Sequence, residues 1–434
     1  MSAEASHALQ GRRILVGACG SIAAVKTPLL VSSLVRAGAR VRCMVTENAA
    51  RLVSPVALAS LSRNSCYGDD DQWDPAFSRP LHIELAEWAE LIILAPLSAG
   101  TLSRWSHGAA DDLLTSVLMA AEVPLLAAPA MNTAMWRHPA VRRNWLEILG
   151  FPGVVPLLPS SGLLACDRVG DGRMADPILI QLAAEALFSR SADCAVAEQD
   201  WAGQRLLVTA GPTLEAIDGA RVLSNRSSGR MGVLLAQAAR LRGAAVDLVH
   251  GPLALPEAWL EGLECCPVDS AADLGIALME RQGSADAVVM AAAVADLRRD
   301  QAEQAKQAKA DLPEVLSRGW VEVPDLLAGL AERRHEGQVL LGFAALTGDE
   351  ETLIRSGERK RIAKKCQLMF VNPIDREGQG FGDQANGGWL LGDGWRQELP
   401  AMPKLALAQR LLDGLLALRT AESGTSRPGF GAVP

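Results

Sequence analysis

The sequence predicts an α/β protein of two doubly wound domains with parallel sheets, and three observations carry that prediction. Short apolar runs bounded by turn residues alternate with helical stretches along the chain. Each half opens with a strand, a tight turn and a helix, over 13–36 and again over 205–243. Between them, over about 189–203, the pattern dissolves into Ser, Asp, Ala and Glu, the composition of a linker.

In the first half, 13–18 reads as a strand, Gly20-Ser21 as a turn and 22–36 as a helix stopped by Ala37-Gly38. The next strand is 41–46, and this βαβ unit offers a helix N-terminus whose unpaired N–H groups hold phosphate. The 17–21 turn departs from G-x-G-x-x-G, so a dinucleotide site is not favoured. Apolar runs at 91–96 and 123–129 supply further buried strands, and 177–188 a closing helix. The second half restarts at 205–209, turns at 210–213 and enters a helix through Ser228-Gly229-Arg230. Strands follow at 245–250, 287–292, 339–344 and 368–371. The expected domains are 1–190 and 204–420, with a Ser-, Gly- and Pro-rich tail, 421–434, expected to be disordered. The halves share architecture but no repeated motif.

Composition narrows the function. The net charge of -8 gives no reason to expect nucleic-acid binding. No apolar run approaches the roughly 20 residues that span a bilayer, and the first ten residues lack a basic start followed by an apolar core. A cytoplasmic enzyme is expected. The eight cysteines are irregularly spaced without a C-x-x-C pair, so neither a zinc site nor a disulfide framework is indicated. Only Cys166, in a Gly-rich setting, escapes the reading of a small buried hydrophobe.

Two segments look like chemistry. Pro-Ala-Met-Asn-Thr-Ala-Met-Trp at 129–136 puts Asn132 where a buried strand emerges. The stretch 165–174 packs one thiol, four Gly and Asp turn-formers and two arginines into ten residues, a composition suited to a mobile flap. The tract 301–309, with two lysines and one acid among Ala and Gln, reads by itself as a solvated helix.

With these residues stand Gly20-Ser21-Ile-Ala-Ala-Val-Lys26, His82-Ile-Glu-Leu85, Thr209-Ala-Gly-Pro-Thr213, Ser224-Asn225-Arg-Ser-Ser-Gly229, Ala292-Ala-Val-Ala-Asp296, Gly342-Phe343 and Lys360-Arg-Ile-Ala-Lys364. In order and spacing, over about 11–418, the set resembles the bacterial bifunctional phosphopantothenoylcysteine decarboxylase and phosphopantothenate-cysteine ligase family of coenzyme A biosynthesis. The resemblance implies a flavodoxin-like or Rossmann-like flavoprotein domain followed by a Rossmann-like ligase domain. It implies FMN near Gly20, Ser21, Thr46 and Ser98, with Cys166 as acid, His82 as base, Asn132 on the substrate carboxylate, and Arg173 and Met174 as further substrate contacts. Chemistry agrees with a flavin: an N-acylated cysteine has no electron sink for decarboxylation, and two-electron oxidation of its CH2–SH group creates one.

For the second half the resemblance implies 4'-phosphopantothenate, L-cysteine and CTP as reactants, with Mg2+ on the phosphates and an acyl-cytidylate on the path. Lys306, Lys360 and Lys364 would hold the triphosphate; Asp296, Phe343 and Pro324-Asp325-Leu326-Leu327 would bind CTP; Asn225 would act on the acyl-cytidylate and Arg221 would help to bind it. A homo-oligomer is implied. The chain departs from the family at Gly100 (Asn expected), at Asp167-Arg168, in Lys306-Gln-Ala-Lys309 (K-I-K-K expected) and at Val323, Leu346, Gln367 and Gln384. Asp at 167 tolerates left-handed backbone, which keeps the cysteine segment feasible. The alternatives are a decarboxylase with a degenerate ligase domain, and a flavin-binding regulatory protein of the same fold.

Overall fold

The computed structural model describes residues 8–165, 167–190, 199–301, 305–380, 382 and 384–422. They form two compact units, one within 1–198 joined by the excursion 257–262, the other within 199–256 and 263–434.

The first unit is built on β1 (Arg13–Ala18), β2 (Arg40–Val45), β3 (Cys66–Tyr67), β4 (Leu91–Leu97), β5 (Leu125–Pro129) and β6 (Val154–Pro156). All five pairings are parallel, in the order β3-β2-β1-β4-β5-β6. That is the Rossmann order, not the 2-1-3-4-5 of flavodoxin. A parallel sheet covered on both faces needs continuous apolar strands, and every residue of β4 and β5 is buried. The turn at 21 leads into a 3-10 segment, Ile22–Lys26, before the helix Thr27–Arg36, which buries Leu30, Val31 and Leu34. Gly38, at φ 92°, releases the chain into β2.

The residues on either side of Cys166 are paired with each other. They belong to a hairpin of β7 (Ser160–Leu163) and β8 (Val169–Arg173), antiparallel, with Met174 and Ala175 buried behind it. Asp167 takes φ 58°, the left-handed backbone its side chain tolerates. Cys166 itself lies outside the described residues.

The second unit carries β9 (Arg205–Ala210), the hairpin β10 (Leu214–Asp218) and β11 (Arg221–Ser224), β12 (Ala245–His250), β13 (Glu264–Pro267), β14 (Ala287–Met290), the pair β15 (Leu297–Arg299) and β16 (Trp320–Glu322), β17 (Val339–Leu346), β18 (Leu368–Pro373), β19 (Asn386–Gly392) and β20 (Trp395–Met402). Its main sheet runs β13-β12-β9-β14-β17-β18-β19-β20. The first six strands are parallel and repeat the order of the first unit. Beyond these six parallel strands the sheet is extended by β19 and β20, which pair antiparallel and were not read from the sequence. Asp393-Gly394 makes their two-residue turn, with Gly394 at φ 71°.

One buried ionic cluster ties this unit together. Arg242, 1% exposed, pairs with Asp200 at 2.6 Å and with Asp413 at 2.8 Å, and also donates to Gln409. The last helix, Lys404–Glu422, runs two residues into the tail expected to be disordered, and 423–434 lie outside the described residues. So do 191–198 of the predicted linker. No helix among the described residues is long and apolar enough to cross a membrane.

Candidate active sites

Four polar residues follow the carboxyl ends of four adjacent strands of the first sheet, and all four cap helices. Ser21 after β1 accepts from Ala23 N, Thr46 after β2 from Ala49 N, Ser98 after β4 from Thr101 N, and Asn132 after β5 from Ala134 N. In the sheet these strands stand as β2-β1-β4-β5. The crevice outside the carboxyl ends is where doubly wound sheets bind ligands, and capped helix N-termini direct N–H groups into it. Gly20 lets the first turn approach β2's successor: a Cβ there would lie 2.5 Å from that of Asn48. At Gly100, where the family's asparagine is expected, a Cβ would meet nothing within 4 Å.

His82 lies in the first turn of the helix Leu81–Trp88. That helix leads into β4, so its start lies toward the carboxyl edge. His82 Nδ1 and Thr133 Oγ1 are both buried without a hydrogen-bond partner. A buried polar atom left unmatched is costly, and at a ligand edge it marks an acceptor or donor awaiting a partner.

The hairpin is clasped onto the Asn132 segment. Met131 N donates to Gly172 O at 3.0 Å, and Arg137 pairs with Asp171 at 3.1 Å. The Ser161 hydroxyl and the Arg137 guanidinium hold the Asp171 carboxyl below its ordinary range. Thus the two motifs singled out from the sequence are physically joined. Arg173 packs along Gly162, where a Cβ would come 2.5 Å from Nη1. Met174, 1% exposed, is packed inside, so a contact with ligand through its side chain is not available in this conformation. The Asp171–Arg137 clasp was missed from sequence; the Asp between two glycines was its only signal.

The second unit holds a cavity of about 870 Å³ at the carboxyl edge of β14, β17 and β18. It brings together Asn225, Asp296, Pro324, Asp325, Leu326, Leu327, Phe343, Lys360 and Lys364. Asn225 is fixed there by donating to the carbonyls of Ala293 and Val294, each at 3.1 Å. Asp325 caps the helix Leu326–Glu332 and accepts from Lys364 Nζ at 2.6 Å. Burial works against its charge, but the Lys364 ammonium and the Ala328 N–H outweigh it and keep the carboxyl below its usual range. Phe343 meets Phe370 edge-on, with ring centres 5.5 Å apart.

Two sequence-named residues are not among the lining. Arg221 is engaged by Asp218 at 2.6 Å and by the Gln307 carbonyl. Lys306 is exposed, on a stretch tethered by Gln307 N donating to Asp218 at 3.2 Å. The solvated helix considered for 301–309 does not form over 305–309; the nearest helix is Leu312–Ser317, and 302–304 lie outside the described residues. Lining residues that sequence reasoning missed include Arg226, Asn372, Asn386 and Lys404.

A Rossmann-type unit with capped helix starts at its carboxyl edge, followed by a second whose cavity gathers lysines and a carboxylate, is an arrangement suited to two phosphate-bearing ligands. The family described as Flavoprotein matches residues 2–186, and the DNA/pantothenate metabolism flavoprotein C-terminal domain matches 201–418. Coenzyme A biosynthesis bifunctional protein CoaBC of Bacillus subtilis is 39% identical, over 94% of this chain and 98% of its own. Its Escherichia coli counterpart is 36% identical, over 94% and 97%. A solved PPC decarboxylase mutant complexed with pantothenoylaminoethenethiol is 36% identical and covers 39% of this chain and 94% of its own, with a TM-score of 0.37. The chain belongs to the family of bifunctional coenzyme A biosynthesis proteins, and is an enzyme of that pathway with a decarboxylase half and a ligase half.

Proposed function

We propose that the second unit joins L-cysteine to 4'-phosphopantothenate with CTP, through an acyl-cytidylate, and that the first decarboxylates the resulting phosphopantothenoylcysteine with FMN. The observation that carries the ligase half is the convergence of nine sequence-named residues on one cavity. A carboxylate is a poor acyl donor until nucleotide activates it, and cations aimed at the transferring phosphate stabilise the developing charge. Lys360 and Lys364 take that role, with Asp325 orienting Lys364. Asn225, held rigidly by two carbonyls, meets the acyl-cytidylate. Arg221 acts through Gln307, setting the stretch that carries Lys306 toward the phosphates. Mg2+ would be carried on the nucleotide phosphates rather than in a protein cage.

For the first unit, the orphaned His82 Nδ1 and the row of caps fit a flavin mononucleotide at the carboxyl edge. Ser21 and the Gly20 turn would hold its phosphate, and Thr46 and Ser98 its polar edges. When bound, FMN supplies two-electron redox power at the substrate's CH2–SH group and returns it. His82 takes up the proton released in oxidation. Asn132, its amide plane fixed by the cap at Ala134 N, orients the carboxylate without an ion pair that would oppose its departure as neutral carbon dioxide. Cys166, by family resemblance, returns a proton to carbon. A homo-oligomer is supported by Ile22, Val25 and Leu29, each more than half exposed at one-face spacing.

The test is a coupled assay with 4'-phosphopantothenate, cysteine, CTP and Mg2+, reading pyrophosphate and carbon dioxide separately. Both products are expected. Carbon dioxide only from supplied phosphopantothenoylcysteine would mean a decayed ligase half, and neither product would leave a flavin-binding regulatory protein.

A further inference from the structure

Lys404, the first residue of the last helix, is 7% exposed and lines the cavity of the second unit. A buried ammonium must find acceptors. Its Nζ donates to the backbone carbonyls of Gly380, at 2.7 Å, and Gln384, at 2.5 Å. Gly380 also lines the cavity, at φ 130°, a conformation that depends on the missing side chain.

Lys404 arrives from the face of the sheet opposite to Lys360 and Lys364. Gly357, in the helix Glu350–Ala363 that carries Lys360, packs on Val371 and Leu391, whereas Gly414, in the Lys404 helix, packs on Leu390. Leu390 and Leu391 are neighbours on β19, and successive strand residues point to opposite faces. The cavity therefore reaches over the strand ends and is bracketed by cations from both sides.

We propose that Lys404 is a positioning residue for the ligation: it holds the Gly380 and Gln384 carbonyls as one wall of the cavity and gives that side the positive charge that seats an anionic reactant. The inference rests on the ligase reading above. Inside a recess walled by protein, a fixed charge attracts an anion more strongly than at an open surface. The anions concerned are the phosphate-bearing reactants, CTP and 4'-phosphopantothenate.

The experiment uses the full chain and three variants, Lys404→Met, Lys404→Gln and Lys404→Arg. CTP-dependent pyrophosphate release is read against each reactant, beside decarboxylation of supplied phosphopantothenoylcysteine and thermal unfolding. Lys404→Met should raise KM for CTP or 4'-phosphopantothenate by about tenfold or more, kcat changing less than about threefold, the pattern of lost binding. Decarboxylation should be unchanged. Lys404→Gln, which keeps a donor but no charge, should also raise KM, and Lys404→Arg should recover most of the loss because the charge is kept. If Lys404→Met does not fold, Lys404→Gln decides by the same criterion. An unchanged KM in the neutral variants, or an arginine variant no better than them, overturns the proposal. A wild type without CTP-dependent pyrophosphate overturns the ligase reading itself, a result distinct from an active wild type with indifferent variants.

Discussion

Gly172 lies so close to Met131 that a Cβ on it would come within 2.1 Å of the Met131 carbonyl oxygen, while Met131 N donates to the Gly172 carbonyl at 3.0 Å. The hairpin therefore seats against the Asn132 segment only because residue 172 has no side chain, at a φ of 142° that other residues avoid. Gly172→Ala should push the hairpin off. A displacement of the order of 1 Å costs about a hundredfold in rate, so decarboxylation should fall by about that factor while CTP-dependent pyrophosphate release stays at wild-type level. Steady-state assays of both activities on one preparation check this; full decarboxylation would show that the clasp is irrelevant to the chemistry.

Lys306 stands outside the cavity lining yet on a stretch anchored near it. Lys306→Ala should lower ligation by roughly tenfold to a hundredfold, the worth of one hydrogen bond to a charged group, about 1.5–3 kcal/mol. Decarboxylation should not change. Equal loss of both activities would contradict two separate sites.

The Asp325–Lys364 pair should leave a signature in acid. The folded carboxyl titrates below its ordinary range, so the pair's contribution is fully present above the unfolded value of about 3.9 and is lost as pH falls through the folded one. Thermal midpoints of wild type and Asp325→Asn, followed from pH 7 down to pH 2.5, should differ at neutral pH and converge in acid. Parallel curves across that window would exclude the pair as the source.

Arg242 is the residue whose loss should matter most to stability. Truncation to Met leaves Asp200 and Asp413 buried without their counter-charge, which costs about 3–5 kcal/mol. Urea unfolding should show that loss, and adding Asp200→Asn to the same chain should return part of it. A change of less than about 1 kcal/mol would mean that water reaches the cluster.

Much of the framework was legible because its signals are local. Apolar runs gave the parallel strands, and the side-chain oxygens that follow them at Ser21, Thr46, Ser98 and Asn132 are the residue types that cap helices. What escaped was set by partners distant in sequence. Asp171 meets Arg137 across 34 positions, and Lys404 reaches Gly380 from a helix on the far face of the sheet. The antiparallel extension escaped for a different reason: Asp393-Gly394 is a strong hairpin signal, but the strands it joins contain glycines and polar residues that weaken their pattern. Lys306 was located by spacing alone, which carries no information on which way a loop faces.

The excursion 257–262 has a consequence for any attempt to divide the chain. It springs from between β12 and β13, yet it belongs to the first unit, where Glu261 accepts from the Ser160 hydroxyl at 2.6 Å and from the Asp176 backbone N–H at 3.2 Å. The first unit is thus discontinuous in sequence. A polypeptide stopped at residue 198 would lack the acceptor that both groups use at the base of the hairpin and at the cap of the helix Pro177–Phe188. A single reading frame therefore does more than keep two activities in equal number: it supplies the first unit with a hydrogen-bond acceptor encoded between two strands of the second.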